Sequence, residues 1–244
     1  MANIDAAFGL RPIAKVGSAP GGTTGTTKYS IGDNQSTAIF TGDPVKYKND
    51  GTVEVATASD AFVGVFLGCF YTDPSTLKPT FRNFFPASTS PGDAIAFVCD
   101  DPDQLYVAQQ DSVGANAVAA NLNENANLVF GAGSTTTGIS GVEIDSSTLA
   151  TTATHQVRLI AFYDTPSNDA TANNSELVVK INNSVRSSFF VLLLNKFPTT
   201  GTLLIPGVLE LAFLMSLFLI PPITTMSPSL TKSLVVIAFV SIAG

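Results

Sequence analysis

The chain has 244 residues, a formal net charge of −7 and a mean hydropathy of +0.31; 13% of its residues are charged and 45% hydrophobic. That length is enough to bury a real core. The acidic balance excludes a nucleic-acid binder that works by neutralising phosphates, and low charge with high apolar content excludes a wholly disordered chain. One His and two Cys exclude a multi-ligand zinc cluster and a disulfide framework.

Along the chain, composition changes class near Val185. Residues 1–185 carry 18 acidic and 9 basic side chains, a net of 9 − 18 = −9, whereas residues 186–244 carry only Arg186, Lys196, Lys232 and Glu210, a net of 3 − 1 = +2. Leu numbers 9 before the break and 12 after it, and Gly falls from 16 to 3. Three segments follow: an N-terminal arm with a Gly/Thr-rich linker over 1–27, a β-rich body over 28–185, and a hydrophobic tail over 186–244. Nothing in residues 1–10 reads as a signal peptide, because Asp5 interrupts them and there is no apolar run.

The body reads as strands. Short Val, Ile, Phe, Tyr and Thr runs alternate with Gly, Pro, Asn and Asp clusters. Strands are expected over 10–16, 26–30, 44–47, 52–56, 61–71, 93–100, 104–110, 142–145, 156–163 and 176–181. Asn49-Asp50-Gly51 lies between two of them, and an Asp-Gly pair supplies the positive φ angles of a tight hairpin. Val53 and Val55 alternate with Thr52 and Glu54, as in a strand with one wet face. The apolar run from Phe62 to Phe70 suits a central strand buried on both faces. Asp100-Asp101-Pro102-Asp103 reads as a turn, since Pro presets φ and Asp bonds the local backbone. Residues 115–121, Ala-rich, are the one expected helix of the body. Residues 164–175 read as a polar loop.

Several motifs invite functional readings. Gly21-Gly22-Thr23-Thr24-Gly25 lacks the Gly-Lys-Ser/Thr ending of a phosphate loop and no helix follows, so it reads as a linker. The carboxylates Asp100, Asp101 and Asp103 lack the central Gly and distal Glu of a calcium loop. His155 is the one histidine, and a hydrolase would have to use it; no Gly-x-Ser-x-Gly elbow accompanies it, so it reads as structural. Cys69 and Cys99 sit in apolar strands as small hydrophobes, able to pair only if those strands bring them together. No catalytic group, cofactor or metal site is assigned. In the tail, residues 201–223 carry one charge, Glu210, and meet the length of a membrane helix, but Pro206, Pro221 and Pro222 crowd their ends. Residues 230–244 fall short of it. The tail therefore reads as an apolar, helical segment with three alternatives: a membrane anchor, a helical hairpin, or the product of a reading-frame error.

Met1 to Ile13 resembles the start of a family of structural proteins of tailed, especially marine, bacteriophages. Gly42-Asp43-Pro44-Val45, Asp50-Gly51-Thr52-Val53 and Val63-Gly64-Val65-Phe66 resemble the core hairpin of small capsid decoration proteins. Asp101-Pro102-Asp103-Gln104-Leu105-Tyr106, Asn125-Ala126-Asn127-Leu128-Val129, Ser140-Gly141-Val142-Glu143-Ile144-Asp145, Gln156-Val157-Arg158-Leu159-Ile160 and Leu177-Val178-Val179-Lys180-Ile181 continue the likeness to about residue 183. In that family the chain ends soon after the last of these strands, where this composition breaks. The resemblance implies a mainly β protein, a small β-barrel or β-tulip with an extended N-terminal arm, that decorates and stabilises a phage head. It implies a non-enzymatic role on the capsid exterior, binding to the major capsid protein as a homotrimer, and no nucleic-acid partner. The candidate capsid contact is the segment 7–16, with Phe8, Leu10, Arg11 and Ile13; the competing role for that strand is to complete its own sheet. The alternative function is a membrane-anchored β-domain held by the tail.

Overall fold

The computed structural model describes residues 3–16 and 25–186. The tract 17–24 and the tail 187–244, with both of its apolar runs, lie outside the described residues. Among the described residues no helix is long and apolar enough to cross a membrane.

The body is mainly β and antiparallel. One five-stranded sheet runs in the order β1 (Arg11–Lys15), β10 (Gln104–Gln109), β15 (Glu176–Ile181), β14 (Val157–Phe162), β11 (Asn125–Ala126). A six-stranded sheet runs β2 (Thr27–Ser30), β9 (Ile95–Cys99), β6 (Gly64–Thr72), β4 (Pro44–Tyr47), β5 (Val53–Val55), with β7 (Pro79–Arg82) paired to the far end of β6. Two small ribbons complete it, β3 (Ile39–Phe40) with β8 (Phe84–Phe85) and β12 (Leu128–Ser134) with β13 (Ile139–Ile144). Each large sheet has two free ends in its strand order, so neither closes on itself among the described residues.

Two apolar clusters hold these sheets. The first gathers Leu10, Phe62, Val65, Cys99, Tyr106, Ala108, Leu128, Ile144, Leu159, Leu177 and Val179, drawing on both large sheets and the β12–β13 ribbon. The second packs Ile39, Val45, Val53, Phe66, Cys69, Tyr71, Phe85 and Val98 on the other face of the six-stranded sheet. Strand β6 serves both: Val65 enters the first cluster and Phe66, Cys69 and Tyr71 the second. Its continuous apolar run is therefore the sequence of a strand covered on two faces, as expected from 62–70.

The hairpin between β4 and β5 forms in the register Val45↔Val55, Lys46↔Glu54, Tyr47↔Val53. Its turn differs from the expected one. Gly51 alone takes a positive φ, of 83°, while the Gly51 amide donates to the Lys48 carbonyl at 3.1 Å. Asp50 instead spends its carboxylate on the Thr52 amide (2.9 Å) and hydroxyl (2.6 Å). This is a type I turn closed by a glycine bulge, which needs one left-handed residue and not two.

The expected helix over 115–121 is corrected. Only a 3₁₀ turn, Ala119–Asn121, forms there, and a second, Ser146–Thr148, caps the end of β13. Seven residues cannot sustain an isolated helix. Competing bonds then decide the backbone: the buried Gln110 side chain accepts from the Ala117 amide at 3.0 Å, and Val118 is extended at φ −121°.

Candidate functional site

The N-terminal segment carries the candidate contact residues. It is extended, but every part of it described is laced to the body. The Asn3 amide group donates to the carbonyls of Asp169 (2.9 Å) and Asn173 (3.0 Å), and the Asp169 amide donates back to Asn3 at 2.8 Å. Gln109 on β10 accepts from the Ala6 amide (2.9 Å) and donates to the Ile4 (2.9 Å) and Asn174 (3.0 Å) carbonyls. Gly9 and Leu10 donate to the carbonyls of Val142 and Gly42. Strand β1 then pairs with β10 and forms the end of the five-stranded sheet.

The four candidate residues part company in this arrangement. Leu10 is 0% exposed and belongs to the first core cluster, so it is not available to a partner. Phe8 and Arg11 come together: the guanidinium lies 4.8 Å from the Phe8 ring centroid and 5.8 Å from that of Tyr163. The Arg11 side chain is half exposed and reaches Glu176 at 3.5 Å. Cation–π contacts of this kind fix an Arg in place while leaving its edge open to a partner. Ile13 has no cross-strand partner, because the register steps from Pro12↔Tyr106 to Ala14↔Leu105. It is the extra residue of a β-bulge on an edge strand, where bulges and prolines commonly interrupt further pairing.

Beyond β1, the acidic turn resolves into three ion pairs. Arg186 holds Asp100 at 2.7 Å, Lys180 holds Asp103 at 2.7 Å, and Lys15 holds Asp101. Asp100 also accepts from the Tyr29 hydroxyl (2.6 Å) and the Thr27 hydroxyl (2.9 Å). The Lys15 ammonium keeps the Asp101 carboxyl below the usual carboxylate range, and Asp101 in turn raises Lys15. Each carboxylate of the turn thus has its own cation, and among the described residues no group of three His, Cys, Asp or Glu side chains converges as metal ligands would.

His155 lies with its Nδ1 3.3 Å from the Asn125 carbonyl, while its own carbonyl accepts from the Asn182 amide group at 3.3 Å. Asn125 is the hub of that region: its Oδ1 accepts from Arg158 (3.2 Å) and Asn182 (2.8 Å), and its Nδ2 donates to the Thr152 carbonyl. Cys69 and Cys99 lie on neighbouring strands, yet Cys69 faces Ala96 and Cys99 faces Val65 across the ladder. They enter different clusters on opposite faces of the sheet, so both are free thiols. Burial pushes the Cys69 thiol up to about 12.

One surface feature had no sequence reading. Strand β7, absent from the expected strands, places Phe81 beside Phe70, with ring centroids 4.7 Å apart, and 6.3 Å from Phe97. Phe81 is 73% exposed. The alternation Thr80-Phe81-Arg82 after Pro79 was the available signal, since Pro is tolerated at the first residue of an edge strand. No family model, no curated protein and no solved structure matches this chain.

Proposed function

We propose that this chain is a non-enzymatic structural protein of a phage head, docked as a homotrimer on the major capsid protein at the capsid exterior. The resemblance along residues 1–183 suggests the role, and one observation of the fold carries the mode of contact. Arg11 at the start of the edge strand β1 is held between Phe8, just before that strand, and Tyr163, just after β14, as a pre-ordered stack. A rigid Arg flanked by rings is the kind of anchor that dominates protein interfaces, because little side-chain entropy is lost on binding. In this reading the N-terminal segment acts as a fixed surface. It does not insert as a free arm, since Leu10 is committed to the core and residues 3–10 are bonded to the body.

The test is occupancy on purified heads. The variant F8A/R11A removes the stack without touching Leu10. We expect it to bind heads at least about 10-fold more weakly than the parent chain while its own melting temperature changes little, since hot-spot truncations cost upwards of ~2 kcal/mol of binding. Heads lacking the protein should rupture at lower temperature. Equal occupancy by the variant defeats the contact, and normal heat resistance of undecorated heads defeats the stabilising role.

A further inference from the structure

A cleft on the six-stranded sheet, with no residue in common with the Phe8–Arg11–Tyr163 stack, carries a second assignment. Its volume is about 360 Å³, and Tyr71, Asp73, Pro74, Ser75, Arg82, Pro86, Ser88, Thr89 and Ser90 line it. Arg82 comes from the edge strand β7, and the loops after β6 and β8 form the rims.

Three observations set this cleft apart. Arg82 has no carboxylate partner among the described residues, a condition it shares with Lys28, Lys78 and Arg158, and of these four it is the one that lines the cleft. Its guanidinium rests 5.7 Å from the Phe84 ring, which steadies it. Next, the walls are rich in hydroxyls, those of Ser75, Ser88, Thr89 and Ser90. Asp73 is held by the amides of Ser75 (2.8 Å) and Thr76 (3.3 Å), and its carboxylate keeps further acceptor positions. Finally, five non-glycine residues among those described take a positive φ, and three of them are Asn, which tolerates that region. The other two, Leu77 (55°) and Ser88 (55°), sit one in each rim loop. Left-handed backbone outside Gly and Asn tends to gather where a ligand is clamped.

The chemistry of the lining selects a ligand class. A single guanidinium matches one carboxylate through two parallel hydrogen bonds. A phosphate, with close to two negative charges, would call for more cations or a nest of amides, and Asp73 would oppose it more strongly than it opposes the single charge of one carboxylate. Hydroxyls and a carboxylate acceptor suit a ligand that itself carries several hydroxyl groups. Pro74 and Pro86 in the lining supply apolar surface, which suits the C–H side of a sugar ring. We propose that this cleft binds a carboxylate-bearing sugar unit of an acidic polysaccharide. This goes beyond the capsid role and does not depend on it.

The experiment titrates the full chain calorimetrically with trigalacturonate, with maltotriose as the neutral α-1,4-linked counterpart, and with inorganic sulfate and acetate. Trigalacturonate should bind at least about 10-fold more tightly than maltotriose, the size expected of a charge-assisted hydrogen-bond pair. R82Q should bring trigalacturonate down to the maltotriose level, and S75A/S90A should weaken both sugars. The assignment is overturned if neither sugar binds, if the two bind equally, or if R82Q binds like the parent. It is also overturned if sulfate or acetate binds as tightly as trigalacturonate, which marks an adventitious ion only. Should R82Q fail to fold, unchanged sugar binding by S75A/S90A overturns it. Loss of head binding without loss of sugar binding, or the reverse, separates this cleft from the capsid contact.

Discussion

At the scale of single residues, close backbone approach and buried charge set the tightest constraints. Gly9 has φ +71° and its α-carbon faces Gly42, so that an added Cβ would lie 2.5 Å from the Gly42 carbonyl oxygen. That same oxygen accepts from the Leu10 amide at 2.9 Å, so it cannot retreat without losing the bond that seats Leu10. Gly9→Ala should therefore destabilise by roughly 2 kcal/mol or more, read as a lower urea midpoint, because strain and a clash add. A midpoint equal to that of the parent chain would refute the close approach. Glu143 poses a different cost. Its Oε1 is buried without a hydrogen-bond partner, and burial, then Asp5 and Asp111, push its carboxyl above the usual range. A carboxyl raised in the folded state favours folding while protonated, and this contribution is lost as pH rises through its folded value. Glu143→Gln should accordingly raise the urea midpoint at pH 7–8 and change it less at pH 4. A gain of the same size at both values would mean that the charge is not the cause.

Elements come next, and here the N-terminal segment is the instructive case. Its Phe, Leu and Ile pattern predicted a strand, and β1 forms within those bounds. Whether that strand serves its own sheet or a partner was open in the sequence; the structure pairs one edge of it with β10, and Gln109, 93 positions beyond Val16, clamps residues 4–6 ahead of it. Gln109→Ala should release that clamp, so that amide exchange at Ala6 speeds up markedly while the β6 amides stay protected. Unchanged Ala6 exchange would place the anchoring elsewhere, with Asn3 and Asp169 the next candidates. Apart from β7, the elements missed in the sequence were the shortest or the richest in glycine. Strands β3 and β8 have two residues each, too few for any periodicity to register. In β12, Gly131 approaches the Gly141 carbonyl so closely that a Cβ would lie 2.3 Å from it, and Gly133 meets the Phe40 ring. Glycine there permits contact between neighbours, a reason that local propensity scores as a turn.

On the scale of the whole molecule, the core is built from long-range pairs. Strand β10 joins β1 at the start of the body to β15 at its end, and the first cluster draws its buried side chains from Leu10 to Ile181, the second from Ile31 to Val98. A chain ending after Arg186 should thus keep one cooperative urea transition, with tyrosine fluorescence and circular dichroism coinciding; separate transitions for the two probes would contradict a single folding unit. The sequence by itself determined the class: alternating and continuous apolar runs set ten strands, the Asp-Gly hairpin and the two-faced strand β6, because side-chain periodicity is local information. It also marked the change of composition near Val185 and the turn at Asp100–Asp103. Tertiary structure alone decided which strands are neighbours and which residues remain exposed. Leu10 turned inward while Arg11 stayed exposed and Phe8 half-buried, Cys69 and Cys99 fell on opposite faces, and each acidic residue of the turn found a cation distant in the chain. These outcomes depend on register and on contacts far apart in the chain, and burial is a property of the partner surface as much as of the residue.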